Sequence, residues 1–122
     1  MQAKHPIPRK VLIAEDDSGL AGLLKSRLED EGFEADIARD GLELLRYIGS
    51  RPEPLCVVLD LEMPGKSGID TIIAMKDRWR EAKIYVFTAY PEYRDRLPVL
   101  KFYVDDFFSK TELDRLIEAI RS

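Results

Sequence analysis

An α/β fold built on a parallel five-stranded sheet follows from three features of the sequence. Short apolar, β-branched runs alternate with segments of helical periodicity, and the connections between them are short. The runs are nearly all apolar, as strands covered on both faces require. The chain has 122 residues, 45% hydrophobic and 34% charged, which suits one domain with its own core. We take residues 10–122 as that domain and residues 1–9 as a Pro-punctuated tail.

Val11-Leu12-Ile13-Ala14 is the first strand. Leu20, Leu23, Leu24 and Leu28 recur at helical spacing and close at Gly32, a natural C-cap. Phe33 to Ala38 is the second strand. Asp40 with Glu43 makes an N-terminal capping pattern, and Leu42, Leu45 and Ile48 form the stripe of the helix behind it. Leu55 to Leu59 is the most hydrophobic run, which places it centrally, with Cys56 as a small core residue.

After a Pro/Gly loop, Ser67 with Asp70 opens a helix carrying Ile69, Ile72, Ile73 and Lys76 and ending near Trp79. Ile84 to Thr88 is the fourth strand. Pro91 to about Lys101 holds the fourth helix, which Pro98 shortens, kinks or breaks. Tyr103 to Ser109 reads as the fifth strand, and Thr111 with Asp114 caps a last helix bearing Leu113, Leu116, Ile117 and Ile120. Five such units, wound with right-handed crossovers around a covered central strand, give a doubly wound, flavodoxin-like (βα)5 sheet of order 2-1-3-4-5.

Composition excludes several functions. One cysteine cannot form an internal disulfide, and no apolar run approaches the roughly 18 residues of a membrane span, so a cytoplasmic protein with no membrane partner is expected. The net charge is -4 and no basic block appears, so direct nucleic-acid binding is not expected. His5 is the only histidine and lies in the tail, leaving little material for histidine catalysis or a zinc site.

In a doubly wound sheet, ligands sit at the carboxyl ends of the strands. There this sequence places Glu15, Asp16 and Asp17 after strand one, Asp60 after strand three, Thr88 at the end of strand four and Lys110 after strand five. Singly, each has a plain structural use: Asp17 caps a helix, Thr88 ends a strand, Lys110 is solvated. Together, crowded carboxylates repel and raise one another's pKa, which a hard cation resolves. Mg²⁺ prefers a few carboxylate oxygens completed by water and phosphate. The acidic stretch Glu15-Asp16-Asp17-Ser18 is the opposite of the Gly-rich loop that a flavin phosphate or dinucleotide needs.

From about Lys10 to Ile120 the sequence resembles the receiver domains of bacterial two-component response regulators. The matching pieces are Val11 to Asp16, Val57 to Pro64 with Gly68, Val86 to Ala89, and Asp105 to Lys110, each at the end of the appropriate strand. The resemblance implies that Asp60 accepts a phosphoryl group from a histidine kinase or phosphotransfer protein, giving an acyl phosphate. It implies Mg²⁺ held by Glu15, Asp16, Asp60 and the backbone carbonyl of Glu62, with Asp16 direct and Glu15 acting through water. Thr88 and Lys110 would contact the phosphoryl oxygens, and Phe107 takes the place of the aromatic that changes rotamer. A domain of this kind takes part in its own phosphorylation and dephosphorylation and is not otherwise an enzyme. Phosphoryl transfer asks chiefly for an in-line nucleophile and charge neutralisation, which these residues, and loop amides brought close by Pro64, Gly65 and Gly68, can supply.

Three departures from the family pattern bear on output. Thr111 stands where Pro is common, which removes the cis peptide expected to aim Lys110 and leaves that lysine less rigidly set. Pro98 perturbs the fourth helix, and Phe107 lacks a hydroxyl. Tyr90, Tyr93, Phe102 and Tyr103 exceed what an edge strand needs, so the face of the fourth helix, fifth strand and fifth helix is the expected partner surface. Its partner is a downstream protein, an attached output domain or a phosphorylation-dependent homodimer. Nothing in the chain follows the last helix, so it reads as a stand-alone regulator or as the receiver piece of a longer polypeptide. Two alternatives are a pseudo-receiver acting without phosphorylation and a small aspartyl-phosphate hydrolase. The first would lack the acceptor or an acid, and the second would need Asp where Glu62 stands and a cap insertion.

Overall fold

The computed structural model describes residues 9–65, 68–90, 92 and 98–122. The strands are β1 (Lys10–Ala14), β2 (Glu34–Ala38), β3 (Cys56–Leu59), β4 (Lys83–Thr88) and β5 (Asp106–Ser109). All pair in parallel, in the order β2-β1-β3-β4-β5, as expected. Among the described residues four α-helices cover the sheet: α1 (Ser18–Asp30), α2 (Gly41–Ser50), α3 (Gly68–Arg78) and α4 (Leu113–Arg121). The tail with His5, the expected cap Ser67, Tyr93 and most of the stretch from Pro91 to Leu97 lie outside the described residues.

Strand alternation sends side chains into two cores. Val11, Ile13, Cys56, Val58, Tyr85, Phe87 and Phe108 pack against Ala21, Leu24 and Leu28 of α1 and Leu116, Ile117 and Ile120 of α4. Leu12, Ala14, Val57, Leu59, Ile84 and Val86 point the other way, to Leu44 and Ile48 of α2 and Ile72 and Met75 of α3. The central strands, apolar on both faces, therefore need two covering layers.

The helix ends follow local chemistry. Asp17 caps α1 by accepting from the Leu20 N–H at 3.1 Å. Gly32 takes a φ of +90° after α1, and the Phe33 N–H returns to the Leu28 carbonyl at 3.0 Å, a Schellman closure. Asp40 caps α2 through the Glu43 N–H at 2.8 Å, and the Glu43 carboxylate reaches back to the Arg39 N–H at 2.8 Å.

Three expectations are corrected. Leu23, Leu42 and Ile73 are exposed, because Ala21, Leu24, Gly41, Leu44, Thr71, Ile72 and Met75 supply the inward faces. The fifth strand starts at Asp106 rather than Tyr103: Pro98–Phe102 is a 3₁₀ turn, and the Tyr103 and Val104 N–H groups both donate to the Leu100 carbonyl. Proline at the first position of that turn forfeits no bond. Thr111 does not cap the last helix; Glu112 occupies the cap position, with no side-chain cap bond. Glycines at the β3–α3 connection also have a packing use. A side chain at Gly65, whose φ is +104°, would meet Gly41 N at 3.1 Å, and one at Gly68 would meet Leu61 Cδ2 at 2.7 Å.

Candidate functional site

The strand register gathers the site. Ala14 pairs with Leu59 and Thr88 with Ser109, so Glu15, Asp60, Thr88 and Lys110 emerge side by side at the carboxyl edge of the sheet. Backbone bonds fix them there. The Glu15 N–H donates to Ala38 O, the Asp60 N–H to Ala14 O and the Lys110 N–H to Thr88 O, each at 3.0 Å.

Glu15 and Asp60 are almost fully buried, at 1% and 3% exposure, whereas Asp16 is exposed. Lys110 spans the two buried acids. Its Nζ lies 3.1 Å from Asp60 Oδ2 and 3.1 Å from Glu15 Oε1, and it donates to Glu15 Oε2 at 3.3 Å. The Asp17 N–H also donates to Glu15 Oε2, and the Glu62 N–H donates to Asp60 Oδ1 at 2.9 Å. Burial pushes the Glu15 carboxyl above its ordinary range, against the lowering by the Asp17 amide and the Lys110 ammonium. Burial disfavours the Lys110 ammonium, but its hydrogen bonds to Asp60 and Glu15 prevail and raise its pKa.

One feature of this cluster asks for a cation. Glu15 Oε1, buried, has its ionic contact with Lys110 but no hydrogen bond among the described residues. One carboxylate oxygen from each of Glu15, Asp16 and Asp60 lies within 4.8 Å of the others. Oxygen donors of this kind suit a hard divalent ion. The acids do not stand unpaired without one, because Lys110 already lies between two of them.

Thr88 is fully buried and its Oγ1 accepts from the Tyr90 N–H at 3.0 Å. Its hydroxyl keeps a proton to donate elsewhere. Phe107 is half-buried and packs with Tyr103 against the core shared by α2 and α3. The Glu62 side chain is exposed.

Ser109 and Glu112, side chains with no role assigned from the sequence, build the turn after the lysine together with Thr111. All described peptides are trans, and the turn after Lys110 is built from side chains. The Ser109 N–H donates to Glu112 Oε1 at 2.9 Å, the Thr111 N–H donates to Ser109 Oγ at 3.1 Å, and the two hydroxyls of Ser109 and Thr111 are 2.8 Å apart. As expected, no cis peptide follows Lys110; a hydrogen-bonded turn comes after it, and its backbone N–H bonds to Thr88. The Ser-x-Thr-Glu spacing was the available signal, since short hydroxyl and carboxyl side chains bond to nearby backbone.

The family model for the response regulator receiver domain matches residues 11–121. The chain belongs to the receiver domain family. The receiver domain is 36% identical over 114 residues to the transcriptional regulatory protein CpxR of Escherichia coli (strain K12), covering 93% of this chain and 48% of that one. It is 31% identical over 113 residues to the transcriptional regulatory protein DltR of Streptococcus agalactiae serotype III (strain NEM316), covering 92% and 50%. The chain thus spans about half the length of these curated relatives. Among solved structures, the response regulator TrrA from Thermotoga maritima in complex with Mg(2+)-BeF superimposes with a TM-score of 0.81, at 33% identity, covering 93% of this chain and 96% of that chain.

Proposed function

We propose that this receiver domain takes a phosphoryl group onto Asp60 from a phosphohistidine of a kinase or phosphotransfer protein. The observation that carries the proposal is the buried Asp60 carboxylate, bridged by Lys110 to Glu15 and placed beside Thr88 at the switch in winding direction. An Asp60 carboxylate oxygen attacks phosphorus, the O–P bond forms, the histidine N–P bond breaks, and the imidazole leaves with the electron pair. Lys110 and the Glu62 N–H already contact the Asp60 carboxylate, so both stand beside the charge that arrives. The Thr88 hydroxyl can donate to a phosphoryl oxygen while still accepting from Tyr90.

Glu15, Asp16, Asp60 and the Glu62 carbonyl are the proposed Mg²⁺ ligands, and the ion, when bound, supplies neutralisation of phosphoryl charge. Removal of the group by water returns the domain to its starting state, so its role is signalling and not turnover of a metabolite. We place it in the cytoplasm, as residues 10–122 of its polypeptide, on the strength of its family; among the described residues no helix is long and apolar enough to cross a membrane.

The proposed output face carries Phe102, 86% exposed, with Tyr90, Val99 and the half-buried Tyr103 and Phe107. An aromatic so exposed is costly to leave in water and fits a protein contact. Phe107 has no hydroxyl, so its part in switching is packing against the α2–α3 core. The partner is an output domain, a downstream protein or a second phosphorylated copy.

Incubation with acetyl phosphate and Mg²⁺, read by intact mass, tests the chemistry. One phosphoryl addition that disappears with a chelator and in Asp60→Asn is expected. No addition with any donor would favour a domain that acts without phosphorylation.

A further inference from the structure

Lys110 stands at the tip of the turn that joins β5 to α4. The Glu112 N–H donates to Ser109 O at 2.8 Å, so residues 109–112 form a β-turn with Lys110 and Thr111 at its centre. The Glu112 side chain closes the same turn in the opposite sense, its Oε1 accepting from the Ser109 N–H at 2.9 Å. Between these two closures the Lys110 N–H donates to Thr88 O at 3.0 Å and the Thr111 N–H to Ser109 Oγ at 3.1 Å. Every amide from 109 to 112 therefore has an acceptor.

Glu112 is placed for this turn rather than for the helix behind it. It occupies the cap position of α4, yet its side chain makes no cap bond. β5 is an edge strand, and a side chain rather than a further strand takes the Ser109 N–H. The other carboxylate oxygen, Oε2, accepts from Arg115 Nη1, which orients Glu112 from the helix side.

We propose that Glu112 and Ser109 are positioning residues for the phosphoryl chemistry, an inference that rests on Asp60 being the acceptor. A lysine carries its charge at the end of a flexible four-carbon stem, so its reach depends on where the backbone starts it. Here the stem must end 3.1 Å from both Asp60 Oδ2 and Glu15 Oε1. Closing the turn around Lys110 fixes the Cα from which the stem departs, and with it the point where the ammonium meets the phosphoryl oxygens. Displacing a positioned group by about 1 Å can cost on the order of 100-fold in rate; the two ion pairs hold part of the position themselves, so opening the turn costs about tenfold.

Glu112→Ala removes the side-chain closure. Glu112→Gln keeps an acceptor for the Ser109 N–H without the charge, and Ser109→Ala removes the acceptor of the Thr111 N–H. Folded variants, checked by their urea midpoints, give two readouts. In chelator and without a phosphodonor, the Lys110 ¹⁵Nζ resonance, assigned by its loss in Lys110→Met, should shift in Glu112→Ala and Ser109→Ala and return to the parent position in Glu112→Gln. With acetyl phosphate and Mg²⁺, the initial rate of Asp60 phosphorylation should fall about tenfold in Glu112→Ala and Ser109→Ala and stay within about twofold of the parent in Glu112→Gln. If Glu112→Ala does not fold, Ser109→Ala carries both readouts. A Gln variant that behaves like the Ala variant would assign the effect to charge and overturn the inference. An unmoved lysine resonance or an unchanged rate in the folded Ala variants, with the parent phosphorylated at Asp60, would overturn the positioning role alone. A parent that takes up no phosphoryl group would overturn it together with the reading of Asp60.

Discussion

Replacing Lys110 with Met removes the one cation between two buried carboxylates. Met keeps most of the apolar stem, so the change is chiefly electrostatic. Breaking a buried ion pair from one side typically costs about 3–5 kcal/mol. The Lys110 side chain is 26% exposed, against 2% for Glu15 and 3% for Asp60, so water reaches the cation and lowers the cost to about 2–4 kcal/mol. In urea unfolding near neutral pH, with chelator present, the midpoint should fall by about 1–2 M at an unchanged slope. Millimolar Mg²⁺ should restore more stability to the variant than to the parent, because a bound divalent ion replaces the missing charge and stabilises only the folded state. The pH dependence follows from Glu15. Its folded pKa is raised above the ordinary value of 4.5, so Glu15 favours folding below that value and loses this contribution as pH rises through the folded pKa. Lys110 offsets part of that loss, so the deficit of Lys110→Met should be largest near neutrality and shrink as Glu15 is protonated. A midpoint within about 0.3 M of the parent's, or a deficit that grows in acid, would refute the bridging role.

Asp16→Asn should abolish most of the stabilisation by Mg²⁺ yet change the metal-free stability little, within about 0.5 kcal/mol, since Asp16 is exposed and Lys110 already pairs its two neighbours; a flat Mg²⁺ titration of the native protein would end the metal assignment. Gly65→Ala should destabilise by about 1–3 kcal/mol, because φ is +104° and the new methyl would press on backbone Gly41, 3.1 Å from its nitrogen, where the Gly41 N–H donates to Pro64 O; a neutral melting shift would contradict this packing. Cys56, whose thiol burial pushes to about 12, should resist alkylation until the chain unfolds, and stability should decline as pH rises above the ordinary thiol value of 9.0, where only the unfolded chain releases the proton; stoichiometric labelling of the native protein would refute it.

Strands β1, β3 and β4 and the sheet order were readable because continuous apolar runs leave few ways to cover both faces. Helix phase was harder to read where two large apolar residues adjoin. Leu23 and Leu24 both fit a helical period, and only the packing of α1 on β1 shows that Leu24 is buried and Leu23 is not. Tyr103 and Val104 carry strand-forming side chains, but Pro98 starts a 3₁₀ turn whose Leu100 carbonyl takes both their N–H groups, so β5 begins later. Of the site, the acids and Thr88 could be placed from the ends of their strands. That Lys110 joins Glu15 to Asp60, and that Ser109, Thr111 and Glu112 fold the turn that follows it, depends on contacts that spacing alone does not contain.

The measurement closest to the central claim is where the phosphoryl group sits. After treatment with acetyl phosphate and Mg²⁺, borohydride reduction converts an aspartyl phosphate to homoserine, and peptide mass mapping locates it. The account predicts homoserine at position 60 alone, absent in Asp60→Asn and absent when Mg²⁺ is chelated. Homoserine at another aspartate, or a phosphorylated product that borohydride leaves unchanged, would contradict the assignment of Asp60 as the acceptor.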